Sequence, residues 1–158
     1  MADTTDELAG VVDLFGGLTR DELERALVEL AFKQGKNVDS AAFAAEIDRA
    51  VEDYYLVETE LASGDDPETV LVAGPAAFPT VPENGADLPH ILDVPDREVD
   101  RERLGETVVE RLREEARTVA AASDADRAET LLDVSYDLEA WAPVDVADVR
   151  ETLDRTFE

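Results

Sequence analysis

One histidine, no cysteine and many carboxylates are what this chain of 158 residues has for chemistry. His90 stands beside Pro89 in a proline-flanked stretch. A zinc site needs several cysteine or histidine ligands, and a general base needs an orienting partner and a pocket. Neither can be traced around His90, so it reads as a surface or edge residue. Asp65-Asp66 and Asp124/Asp126 are carboxylate pairs that attract cations. Neither carries the glycine and terminal glutamate of a calcium loop. Ser123 and Ser135 read as a helix start and a helix-face residue, with no histidine in register to activate them. Gly74, Gly85 and Gly105 form neither a phosphate-cradling loop nor a dinucleotide fingerprint. The expectation is a non-enzymatic protein with no catalytic residue, metal, cofactor or small-molecule ligand.

Charge is the strongest compositional signal. Forty Asp and Glu oppose 14 Lys and Arg, a formal net charge of −26, and the only lysines are Lys33 and Lys36. Acidic chains with few aromatics are often disordered. Here the acids are dispersed, and capped segments with regular apolar faces predict a packed core. No apolar run approaches the roughly 20 residues of a membrane span. The N-terminus, MADTTDELAG, lacks the basic and apolar regions of a secretory signal. A cytoplasmic location with no membrane partner is expected.

The elements that would position any surface begin with a helix from Thr4 to Phe15. Thr4 and Glu7 form its capping box, Leu8, Val11, Val12 and Phe15 its apolar face, and Gly16-Gly17 its end. A second helix is marked by a Thr19/Glu22 capping box inside a Leu18–Leu23 staple. Leu23, Ala26, Leu27, Leu30 and Ala31 make its stripe, and Gly35 closes it in the left-handed conformation. The third helix has Asp39 as cap and a Val38–Phe43 staple. Phe43, Ile47, Ala50, Val51 and Tyr54 point inward, with Phe43 and Val51 as core residues. The period then changes to two over 55–61, a turn-rich loop covers 62–68, and 69–73 is a second strand. Five prolines and Asn84-Gly85 predict an extended connector without helix, pinned by Phe78, Val81, Ile91, Leu92 and Val94. From Asp100, a cap with a Val99–Leu104 staple, the stripe Leu104, Val108, Leu112, Ala116 and Val119 predicts a long helix. Ser123 starts the next one, with Leu131, Leu132, Ser135 and Leu138 on one side. Asp145 caps a last helix carrying Val149, Leu153 and Phe157.

The fold class expected is mainly α with a small β-hairpin: an α-α-α-β-β N-terminal half, then a helical C-terminal region. The domains are 1–78, a proline-rich connector over 79–98, and 99–158. The capped helices, LTRDELERALVELAF and then YYLVE, resemble a winged helix-turn-helix domain over the first half of the chain. Together with dispersed acid and scarce lysine, the pattern is similar to an uncharacterised haloarchaeal protein family. The C-terminal half resembles no family that can be named.

The resemblance makes the third helix a recognition helix. Its outward face, Ala41, Ala44, Ala45, Asp48 and Glu52, implies docking of a protein partner or a second copy. A DNA-binding transcription regulator is the other function that the resemblance implies, with Arg20, Lys33, Lys36 and Arg49 as phosphate contacts. Duplex DNA carries one negative charge per about 1.7 Å and is held by neutralising cations. Asp48, Glu52 and Asp53 against Arg49, with Asp65, Asp66 and Glu68 in the wing, disfavour that use.

Overall fold

In a computed structural model of the chain, residues 4–36, 40–63, 66–82, 85–95 and 97–157 are described. The chain forms two compact units, Met1–Val99 and Asp100–Glu158. It is mainly helical, with one antiparallel hairpin following three helices.

The first unit opens with α1 (Thr4–Phe15) and α2 (Arg20–Lys33). Thr4 lies inside α1 and is not its cap. Leu8, Val11, Val12 and Phe15 are buried as their spacing requires. Gly16 ends the helix at φ +82°. The α2 capping box is complete. The Thr19 hydroxyl accepts from the Glu22 N–H at 3.2 Å, and the Thr19 N–H donates to Glu22 Oε1 at 2.8 Å. Both staple leucines, Leu18 and Leu23, are fully buried. Gly35 sits at φ +79°, and the Lys36 N–H reaches back to the Ala31 carbonyl.

A 3₁₀ turn (Ser40–Phe43) leads into α3 (Ala44–Glu52). The expected cap Asp39 and staple residue Val38 lie outside the described residues. Ile47, Ala50 and Tyr54 are fully buried. Phe43 and Val51 are only partly buried, packed against the rim of the core and not within it. Tyr54 turns the chain at φ +67°, an uncommon conformation for a bulky residue. Strands β1 (Leu56–Ser63) and β2 (Asp66–Ala73) pair along their full length, from Leu56↔Ala73 to Ser63↔Asp66. Most of the expected 62–68 loop is therefore strand, because Ala62 and Ser63 pair with Pro67 and Asp66 despite their turn-like composition. Asp65 lies outside the described residues. Leu18 adds a single bridge to the outer edge of β2, exchanging both backbone hydrogen bonds with Leu71.

The stretch after β2 is a strap on this unit. The Phe78 and Thr80 N–H groups donate to the side chain and carbonyl of Asp6. One turn of helix, α4 (Leu88–Ile91), interrupts the extended path that the prolines predict. Leu92 and Val94 pack on the core as expected. Phe78, Val81 and Ile91 do not; they are 79%, 46% and 46% exposed, and the buried anchor is Leu88 instead.

The second unit consists of α5 (Arg101–Ala122), α6 (Ala125–Trp141), α7 (Ala147–Asp154) and a short 3₁₀ turn, Arg155–Phe157. Asp100 caps α5 through the Glu102 N–H, and the whole predicted α5 stripe is buried. Ser123 does not start α6. It closes α5 in the left-handed conformation at φ +55°, and Asp124 caps α6 through the Arg127 N–H. Ala128, Leu131, Val134 and Leu138 of α6 and Val149 and Leu153 of α7 are buried, and so is Ser135. Leu132 is only partly buried. Val146 occupies the cap position of α7, while Asp145 accepts from the Ala147 N–H. Phe157 is 48% exposed, not a core residue.

Candidate functional site

Two sets of residues on the first unit are the candidates that the sequence offers: the cations near α2 and α3, and the outward face of α3. Arg20 stands at the start of α2 and Lys33 at its end, about 20 Å apart at 1.5 Å per residue. Arg20 is also committed within the fold. Its guanidinium pairs with Asp48, lies 3.9 Å from Glu24 and donates to the Ala44 carbonyl at 3.0 Å. This fork bolts the start of α2 to α3, consistent with the bidentate reach of arginine. Lys33 is half-buried and Lys36 exposed just past the helix end, while Arg49 lies exposed on α3. The structure thus separates Arg20 from the two lysines along α2.

The α3 face is coherent. Ala41, Ala45, Asp48 and Glu52 are exposed and Ala44 is half-exposed. They share one side because Ile47 and Ala50 turn the opposite side into the core.

Away from this face, between α1, α2 and the 3₁₀ turn, lies a cleft that the sequence did not reveal, with a volume of about 280 Å³. Its floor is apolar: Leu8 and Val11 from α1, Leu27, Leu30 and Ala31 from α2, and Phe43 from the 3₁₀ turn. Glu7, Gln34, Lys36 and Glu46 stand around it, and Pro82 of the strap closes one side. Phe43 is only partly buried because it forms part of this opening.

The frame around these residues rests on Arg97, which periodicity could not single out. Its side chain is 8% exposed. It donates to both oxygens of Glu22 at 2.6 and 3.2 Å, to Glu68 at 3.0 Å and to the Gly17 carbonyl at 3.1 Å. Burial raises the Glu22 pKa, but hydrogen bonds from Arg97 and the Thr19 N–H outweigh it and hold the carboxyl below its usual range. The hydrogen bond to Glu22 likewise raises Arg97. One guanidinium therefore ties the α2 cap, the turn before it and β2 to the end of the strap.

The arginines of the second unit are engaged in the same manner. Arg150 pairs with Glu139 at 3.0 Å and lies over the Tyr136 ring at 4.5 Å. Its hydrogen bond, and that of the Val146 N–H, lower the Glu139 pKa. Arg113 pairs with Asp148 at 2.8 Å and Arg127 with Glu115 at 2.7 Å. The Ser135 hydroxyl donates to the Leu132 carbonyl at 2.6 Å, which satisfies it as a core residue. Among the described residues no group of three or more His, Asp or Glu could hold a metal ion. Among the same residues no helix is long and apolar enough to cross a membrane.

The chain belongs to a family of unknown function (DUF7109), whose model matches residues 6–158. That match includes nearly all of both units. No curated protein and no solved structure matches the chain.

Proposed function

We propose that this is a non-enzymatic interaction or regulatory adaptor built on a winged-helix scaffold and adapted to a salt-rich archaeal cytoplasm. The element order α1-α2-α3-β1-β2 supports the scaffold, as does the Leu18–Leu71 bridge, which gives the hairpin a third edge between the first two helices. In this reading α3 is the recognition helix and the β1–β2 hairpin is the wing.

The observation that carries the interaction reading is the commitment of Arg20 to Asp48, Glu24 and the Ala44 carbonyl. The cation best placed beside the recognition helix is thereby neutralised within the fold. What α3 offers outward is alanine and Glu52 against Arg49, with Asp48 held by Arg20, and a polyanion gains little there. The salt adaptation rests on the net charge of −26 with two lysines. In molar salt the Debye length falls to about 3 Å, which screens that self-repulsion.

Titration with random duplex DNA fragments, across the salt range in which the chain stays folded, tests the function. No saturable binding is expected, and lowering salt should produce no gain. Saturable binding abolished by joint Lys33→Glu and Lys36→Glu substitution would make the protein a DNA-binding regulator instead.

A further inference from the structure

We propose that the outward face of α2 is a self-association surface, on which two copies of the chain pair as antiparallel helices. This goes beyond the reading above, which places docking on α3. Leu23, Ala26, Leu27, Leu30 and Ala31 turn one side of α2 into the first unit. The opposite side carries Asp21, Arg25, Val28 and Phe32, at steps of four, three and four residues. That alternation keeps one seam facing a second helix, as in a coiled coil. The seam lies open within the fold: Asp21 and Arg25 are exposed, Val28 is half-buried, and Phe32 is 70% exposed.

Charge decides the occupant. Arg25 and Glu29 stand one turn apart on the same helix, yet neither forms an ion pair among the described residues. Acid and base alternate along this side: Asp21, Arg25, Glu29, then Lys33 and Lys36. Nucleic acid or an acidic segment would meet Asp21 and Glu29. A basic segment would meet Arg25, Lys33 and Lys36. A second copy, run antiparallel about a two-fold axis near residues 27–28, meets neither obstacle. It sets Arg25 of each copy against Glu29 of the other, and Asp21 toward Lys33. The two Val28 side chains approach the axis. Each Phe32 lies toward the other copy's Arg25, whose guanidinium suits an aromatic face. Such a contact is isologous and closes at two copies. The −26 charge of each chain opposes association, but in molar salt its reach falls to about 3 Å. Only the charges in contact then count.

Sedimentation equilibrium of the full chain in molar KCl tests this. A concentration-dependent monomer–dimer equilibrium is expected. A seam of about three helical turns buries less than the roughly 1,200–2,000 Å² of a standard interface, so the dimer is weak and reversible. Phe32→Ala should weaken it about tenfold, on the scale of an interface anchor. The melting temperature should hardly move, because the ring is exposed. Arg25→Glu should also weaken it about tenfold, since a two-fold axis counts each change twice. Adding Glu29→Arg to that variant should restore the dimer, as an antiparallel copy requires. A chain that stays monomeric up to about 1 mM, the weak end of association, would overturn the proposal. So would a dimer indifferent to Phe32→Ala and Arg25→Glu, or a charge swap that fails to restore it. A monomer whose α2 amide resonances shift with polyglutamate or duplex DNA would give this face to an acidic partner, and would overturn it too. Oligomeric state is read without nucleic acid, so failure here leaves the reading above standing.

Discussion

Each unit places a glycine inside its leading helix, and the two glycines face different neighbours. A Cβ on Gly10 of α1 would stand 2.0 Å from the Thr80 carbonyl oxygen, and one on Gly105 of α5 would stand 2.7 Å from the Ala142 Cβ and 3.2 Å from Val144 Cγ1. Thr80 cannot retreat easily. Its N–H is bonded to Asp6 of the same helix, and its hydroxyl donates to the Phe78 carbonyl. In the first unit, helix and strap are fastened backbone to backbone. In the second, helix meets side chains of the turn after α6. Charge follows a similar division. Residues 1–99 hold 23 acids and six cations, a net −17, whereas 100–158 hold 17 acids and eight arginines, a net −9. The first unit holds one enclosed ion cluster, on Arg97, and the second several more exposed arginine pairs.

Removing salt should produce the largest effect. Dialysis of the protein into low-salt buffer should abolish the far-UV helix signal, with recovery in molar KCl. The first unit should melt first, having fewer cations to offset its acids. The sole tryptophan, Trp141, lies in the second unit beneath Arg101, 4.2 Å from its ring. Its fluorescence should therefore change at lower salt than the onset of helix loss. Coincident transitions would erase the distinction between units, and a fully folded protein at low salt would remove the halophilic reading.

Ion pairs sharpen the same contrast. Arg97→Ala leaves Glu22 and Glu68 facing one another in a largely buried site, and breaking such a cluster costs about 3 kcal/mol. Arg113→Ala removes a pair whose members are 42% and 56% exposed, for which about 0.2–1 kcal/mol is typical. Denaturant melts of the two variants compare them directly, and equal losses would show that enclosure of Arg97 contributes nothing.

The glycines come next. Replacing glycine by alanine inside a helix ordinarily stabilises by about 1 kcal/mol. Gly10→Ala should instead destabilise by about 2 kcal/mol, because overpacking against fixed backbone outweighs propensity. Gly105→Ala should change stability by less than about 1 kcal/mol, since Val144 can rotate and the chain after α6 can yield. Thermal melts that rank them the other way would mean that the strap is not fastened as described.

Acid titration should give the smallest effect and separates two carboxyls by sign. Glu22 is lowered in the folded state. Its contribution is present above the ordinary carboxylate range and is lost as pH falls through its depressed value. Glu22→Gln should therefore flatten the acid limb of the stability curve. Asp137 is raised, by burial and then by Asp133. It opposes folding at neutral pH and less so as pH falls through its elevated value. Asp137→Asn should stabilise slightly at neutral pH and have no effect once both forms are protonated. An unchanged acid limb for Glu22→Gln would separate the Arg97 cluster from stability.

What could be read along the chain was what is local. The Thr19/Glu22 box spans three residues, and the α2 and α5 stripes repeat every three or four, so caps and buried faces were visible in spacing alone. Ser123 misled because serine is a favoured helix start, whereas here it adopts the left-handed conformation that usually marks glycine. The hairpin was drawn too short because Gly, Asp and Pro near its tip resemble a loop, and pairing along the strands prevails over that composition. Long-range partners left no periodic trace. Arg97 meets Glu22 across 75 positions, Arg20 meets Asp48 across 28, and Thr80 fits against Gly10 from 70 positions away. Of the candidate site, the α3 face was legible from helical phase. The cleft was not, since α1, α2 and the 3₁₀ turn each supply part of it.

The position of Arg97 also has a mechanical consequence. It is anchored three residues before the second unit begins at Asp100. Tension applied through that unit reaches the guanidinium cluster before it can peel the strap from α1. The backbone beside it adds resistance, with the Arg97 N–H bonded to the Phe15 carbonyl. The load is then divided among the α2 cap, the Gly17 turn and β2. Arg97 acts as a strain relief, much as a cable clamp protects the joint behind it.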